Sequence, residues 1–131
     1  MKKRILVVDD DWIYLELLKF RLLRRSFEVL TARNEKELWE KAFGAKLDMI
    51  IIDLLLKNNV GSNSYQNLVN FGFDPTVPVI FMSAFVNEEM MNSPAAGEKF
   101  LMYHKSSDFE ELMNDINHFL NPKRKEQENG L

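Results

Sequence analysis

Two rhythms alternate along this chain. Short apolar runs, Ile5-Leu6-Val7-Val8, Met49-Ile50-Ile51-Ile52 and Val79-Ile80-Phe81-Met82, each stop at a polar residue. Runs this short, rich in β-branched residues, read as strands covered on both faces, the inner strands of a parallel sheet. Between them the apolar spacing changes to three and four. Over residues 12–25 one stripe passes through Ile13, Leu17, Phe20 and Arg24, and a second through Leu15, Leu18 and Leu22. Asp10 or Asp11 is placed to cap this helix, and Lys19, Arg21, Arg24 and Arg25 suit its C-terminal end. Residues 27–31 alternate as a strand near an edge. Asn34 with Glu37 forms a capping pair for a helix through about Phe43, which Gly44 stops.

Residues 57–64 are dominated by Asn, Gly and Ser and are expected to form a loop. A short helix is expected through Gln66, Leu68 and Val69, broken by Gly72, Asp74 and Pro75. Residues 87–96 read as partly helical, with an interruption at Pro94. Residues 100–103 form a last strand, ending at His104 and Lys105. Over residues 108–120, Phe109, Leu112, Met113, Ile116, Phe119 and Leu120 recur at helical spacing. Residues 121–131 are polar and expected to fray. Five strands alternating with five helices predict an α/β fold. The sheet is five-stranded, parallel and doubly wound, with right-handed crossovers and helices on both faces. One domain spans residues 1–120 and a polar tail covers 121–131.

Composition narrows the function. The 131 residues suit one core, and 46% hydrophobic with 28% charged residues is a globular balance. Lys plus Arg number 17 and Asp plus Glu 20, a net charge of −3, so nucleic acid is not an expected direct partner. Cysteine is absent, which excludes disulfides and thiolate metal sites. No apolar run approaches the ~20 residues of a membrane span. The basic start at Lys2, Lys3 and Arg4 precedes a run too short for a signal-peptide core. A cytoplasmic location is expected, with no membrane partner.

A parallel sheet carries the ends of four strands to one edge, where open α/β sheets bind their ligands. Asp9 and Asp10, Asp53, Ser83 and Lys105 would arrive there. Neighbouring carboxylates repel, and a divalent cation among them relieves the repulsion; Mg²⁺ prefers carboxylate and water oxygens. A carboxylate on a strand end can serve as a nucleophile toward phosphorus and form an acyl phosphate. Ser83 can donate one hydrogen bond to a phosphoryl oxygen, and Lys105 supplies a point charge.

This ordered set resembles the response-regulator receiver domains, the aspartate-phosphorylated partners of sensor histidine kinases, over about residues 3–120. The intervals agree as well: 83 − 53 = 30 and 105 − 83 = 22, with Gly61 eight after Asp53. The resemblance implies a flavodoxin-like strand order of 2-1-3-4-5. It makes Asp53 the phosphoacceptor and Asp10 a direct Mg²⁺ ligand. Asp9 holds the ion largely through water, and the Leu55 carbonyl is the third protein ligand. Ser83 becomes the switch hydroxyl, followed by the small Ala84, and Lys105 the strand-end lysine. It implies a phosphohistidine donor, either a sensor histidine kinase or a phosphotransfer protein. A downstream protein partner would bind the 86–120 face, and a homodimer could form through the last helix. The chain would not be an enzyme, although it would promote its own phosphotransfer and dephosphorylation. Three positions depart from the family pattern. Lys57 and Ser106 stand where prolines are usual, and Met102, flanked by Phe100 and Tyr103, holds the aromatic switch position.

Blander roles stand beside these. Asp9 and Asp10 could be helix caps, Asp11 a cap or solvated acid, Ser83 a turn residue and Lys105 a solvated lysine. His104 and His118 read as structural, the methionines as core filling, with Met90, Met91 and Met102 near a contact face. Lys123, Arg124 and Lys125 read as a solvated tail. Two other functional classes compete. A phosphorylation-independent receiver-fold binding module would explain the missing prolines and Met102. A small phosphoaspartyl hydrolase would need a second acid two residues after its nucleophile, where Leu55 stands. Leu55 also offers no help to an attacking water, so dephosphorylation is expected to be slow.

Overall fold

The computed structural model describes residues 2–56, 59–84 and 100–121. The helix expected over 87–96, Met90 and Met91, the Lys57 position and most of the polar tail lie outside the described residues. Among the described residues the strands are β1 (Arg4–Val8), β2 (Glu28–Ala32), β3 (Met49–Asp53), β4 (Leu55–Leu56), β5 (Asn59–Val60), β6 (Val79–Ser83) and β7 (Phe100–His104). The helices among the same residues are α1 (Trp12–Leu23), α2 (Glu35–Gly44), α3 (Gly61–Asn70) and α4 (Phe109–Leu120).

Five strands form one sheet of order β2-β1-β3-β6-β7, every pair parallel. Counted among those five alone, the order is 2-1-3-4-5. The three most apolar strands are the inner ones, and Ile50, Ile51 and Ile52 are fully buried. Each such side chain contributes about 1.5–3 kcal/mol of transfer free energy. Alternation along the strands divides the core in two. Leu6, Val8, Ile50, Ile52, Val79 and Phe81 meet α2 and α3 through Leu38, Ala42, Tyr65 and Leu68. Ile5, Val7, Ile51, Ile80 and Met82 meet α1 and α4 through Leu15, Leu18, Leu22, Leu112 and Ile116.

Local signals set the helix ends. Asp11 caps α1, its Oδ1 accepting from the N–H groups of Ile13 and Tyr14 at 3.1 and 3.2 Å. Asn34 caps α2 by accepting from the Glu37 N–H at 2.8 Å, and Asp108 caps α4. Beyond α1 the chain turns through Ser26 at φ 69°, a left-handed residue that is not glycine. Gly72, after α3, sits at φ 103° where glycine is at ease.

Two expectations are corrected. Residues 57–64 are not one loop: β4 and β5 pair antiparallel, Leu55 with Val60 and Leu56 with Asn59, and α3 starts at Gly61. On α1 only the stripe of Leu15, Leu18 and Leu22 is buried. Ile13, Leu17 and Phe20 face outward, with Ile13 66% exposed, because one helix on a sheet can bury only one arc. On the opposite face of the sheet, Trp39 lies against Phe43 and Phe71 at 5.7 and 4.9 Å between ring centroids. Among the described residues no helix is long and apolar enough to cross a membrane.

Candidate functional site

Asp9 follows Val8 directly and its backbone still belongs to the sheet, its N–H donating to the Ala32 carbonyl at 3.1 Å. Its side chain continues the row of Ile5 and Val7, toward the α1 side. Asp53 closes β3 in the row of Ile51, and Lys105 follows β7 in the row of Tyr103. The sheet therefore aims these three groups at one spot under the first turn of α1.

There the Lys105 ammonium lies 2.6 Å from Asp9 Oδ2 and 3.0 Å from Asp53 Oδ2. Asp10 joins them: carboxylate oxygens of Asp9, Asp10 and Asp53 lie within 4.8 Å of one another. Asp9 is fully buried, Asp53 buried and Asp10 half-buried. Backbone donors hold the acids in place. Asp9 Oδ1 accepts from the Asp11 N–H at 2.9 Å, and Asp53 Oδ1 from the Leu55 N–H at 3.1 Å.

The charges here are strained in a definite direction. Burial pushes the Asp9 carboxyl up to about 6, and the Asp53 charge adds to it, outweighing the pull of Lys105 and the Asp11 N–H. Burial would lower the Lys105 ammonium, but Asp9 and then Asp53 more than compensate, so its pKa is raised. Three carboxylates thus face one ammonium, short of positive charge. Oxygen donors at this spacing fit a hard divalent cation, which Asp9, Asp10 and Asp53 would hold.

Ser83 ends β6 and is buried, one register step beyond Met82, which stands opposite Asp53. Its carbonyl accepts from the Lys105 N–H at 2.8 Å, so β6 positions the lysine's backbone. Leu55 stands in β4, its N–H turned to Asp53. Asp11 is a cap. His104 is half-buried, and its Nδ1 accepts from the Ser106 N–H at 3.1 Å, a donor a proline there would lack. The strand β7 pairs with β6 in unbroken register, Met102 against Phe81. Met102 packs on the α2–α3 side, whereas Tyr103 packs on the α1–α4 side with its hydroxyl donating to the Ser107 carbonyl at 2.8 Å.

One neighbour was not singled out from the sequence. Tyr14 places its ring 4.7 Å, centroid to Nζ, from the Lys105 ammonium. Burial, then Tyr103 and Asp9, raises the pKa of its phenol, so the ring is neutral at ordinary pH. The available signal was an aromatic residue next to the buried arc in the first turn after the acid pair.

Fold and pocket together define a doubly wound α/β domain with an acid–lysine centre at the C-terminal edge of its sheet. A profile of the response regulator receiver domain matches residues 5–117. The chain belongs to that family, the receiver domains of two-component response regulators. It is 41% identical over 56 residues to the alkaline phosphatase synthesis transcriptional regulatory protein PhoP of Bacillus subtilis, covering 43% of this chain and 23% of that protein. It is 27% identical over 122 residues to the transcriptional regulatory protein CrdR of Helicobacter pylori, covering 92% of this chain and 56% of that protein. The chain thus spans at most about half the length of these curated relatives. Among solved structures, Vibrio cholerae chemotaxis protein CheY4 superposes with TM-score 0.83 at 21% identity, covering 92% of this chain and 100% of that one. Thermotoga maritima response regulator TrrA, solved in complex with Mg(2+)-BeF, gives 0.77 at 29% identity, covering 90% and 99%.

Proposed function

We propose that this chain is a phosphoacceptor. A phosphohistidine, on a sensor histidine kinase or a phosphotransfer protein, gives its phosphoryl group to Asp53. One carboxylate oxygen of Asp53 attacks phosphorus, the P–N bond breaks, and the donor nitrogen leaves with the electron pair. The observation that carries this reading is the Lys105 ammonium on Asp53 Oδ2, with the Asp9 and Asp10 carboxylates beside it. Lys105 is placed to meet charge that grows on the phosphoryl oxygens. Mg²⁺, when bound by Asp9, Asp10, Asp53 and the Leu55 carbonyl, neutralises phosphoryl charge. The complex of the Thermotoga protein with Mg(2+)-BeF supports that choice of cation. The Ser83 hydroxyl supplies a further donor from the next strand.

The domain acts on its own aspartate and turns over no separate substrate. The phosphorylated form shifts the population of states on the face that includes β7 and α4 and so changes partner binding, including the option of a homodimer. The cytoplasm, where such donors work, is the proposed location.

The test is mass spectrometry after incubation with acetyl phosphate and Mg²⁺. Wild-type chain is expected to gain one phosphoryl group and Asp53→Asn none; equal labelling of both refutes the assignment. A second reading, a receiver-fold binding module that works without phosphate, is favoured by Ser106 and Met102. Trp12 follows the acid pair by two residues in the sequence, so a Mg²⁺-dependent change in its emission supports the first reading. Silence up to millimolar Mg²⁺ supports the second.

A further inference from the structure

A lysine ammonium has three N–H bonds to satisfy. At Lys105 two directions are taken by Asp9 and Asp53, at 2.6 and 3.0 Å. The side chain is only 14% exposed, so little of it meets water. The Tyr14 ring lies against it, with its centroid 4.7 Å from Nζ. A cation within about 6 Å of a ring face is attracted by the ring quadrupole, most strongly where both are dry.

We propose that Tyr14 is a positioning residue for the strand-end lysine, its ring forming the third wall that keeps the Lys105 ammonium at Asp53. This rests on Asp53 being the phosphoacceptor. Asp11 fixes the backbone of Tyr14 through its N–H, and the ring packs on the core beneath α1. The ring's place is therefore set by the cap that starts the helix. When a phosphoryl group arrives, Lys105 exchanges carboxylate oxygen for phosphoryl oxygen. A lysine stem has four flexible carbons and would otherwise swing into solvent during that exchange. The ring offers attraction without a hydrogen-bond acceptor, so it holds the ammonium near Asp53 and leaves its donors free.

A merely space-filling tyrosine would be replaced equally well by leucine, and the two roles separate experimentally. Protons over a ring face are shifted upfield, so the Lys105 ε-CH2 signal of the cation-free wild-type chain is expected upfield of the other lysines in carbon–proton NMR spectra. Tyr14→Phe is expected to keep that shift and Tyr14→Leu to lose it. Labelling by acetyl phosphate with Mg²⁺ is expected to slow roughly two- to thirty-fold in Tyr14→Leu, the range a cation–π contact spans, and to recover in Tyr14→Phe. Tyr14→Met fills the same space should the leucine variant lose its dispersed amide spectrum. An ordinary ε-CH2 position in the wild type, or a folded Tyr14→Leu that labels at the wild-type rate, overturns the proposal. If the wild type takes no label at all, the phosphoacceptor reading falls, and the upfield signal by itself decides whether Tyr14 holds Lys105.

Discussion

Asp9 is a residue whose fold works against its charge. Its carboxyl titrates near 3.8 in an ordinary setting and is pushed up to about 6 here, burial being the main cause. Between about pH 4 and pH 6 the folded protein therefore holds a proton that the unfolded chain has released. Stability falls as pH rises through that window. Asp9→Asn is expected to stabilise the cation-free protein at pH 7 by roughly 1–3 kcal/mol and to flatten the slope between pH 4 and 6, measured by urea denaturation across pH. Lys105 has linkage of the same sign at much higher pH. Its raised pKa contributes stability that is complete below 10.5 and is lost only in strongly alkaline solution. The placement of Asp9, Asp10, Asp53 and Lys105 was legible because each follows an apolar run and a parallel sheet aligns such endings. Tyr14 was not, because its role comes from the arc of α1 that faces the sheet, and that helix carries two largely apolar stripes.

That ambiguity belongs to the element, and α1 shows its energetic consequence. Leu18→Ala is expected to cost about 2–5 kcal/mol, whereas Ile13→Ser is expected to change stability by no more than about 0.5 kcal/mol, compared by thermal or urea melts. At the end of the same helix Ser26 stands at φ 69°. Its N–H donates to the Leu23 carbonyl at 3.1 Å, and the Phe27 N–H reaches back to Leu22 at 3.3 Å, so the turn is built for a left-handed residue. Ser26→Gly is expected to stabilise by about 0.5–1 kcal/mol. The β4–β5 hairpin was hidden for another reason. Each arm is two residues long, below any detectable alternation, and Asn59 and Gly61 read as loop residues. The inner strands and the cap at Asn34 were readable because burial on both faces and capping chemistry leave direct marks in sequence.

For the whole molecule, the crowding of Asp9, Asp10 and Asp53 couples ion binding to folding. A cation held by the folded state alone, at a hundred times its dissociation constant, adds about 2.7 kcal/mol. For a chain of this size the midpoint of thermal unfolding is then expected to rise by on the order of 10 °C in saturating Mg²⁺. Asp53→Asn is expected to shrink that rise, and scanning calorimetry with and without the ion measures both. The strand order was legible only through family resemblance, since alternation of strands and helices fixes a parallel sheet without fixing which strand sits beside which. The sheet also keeps its two tryptophans apart. Trp12 belongs to the α1 side and is 57% exposed, while Trp39 lies among phenylalanines on the other side. Replacing either indole by phenylalanine leaves an optical probe confined to one face of the sheet, and the two melting curves would then show whether those faces come apart together or one after the other.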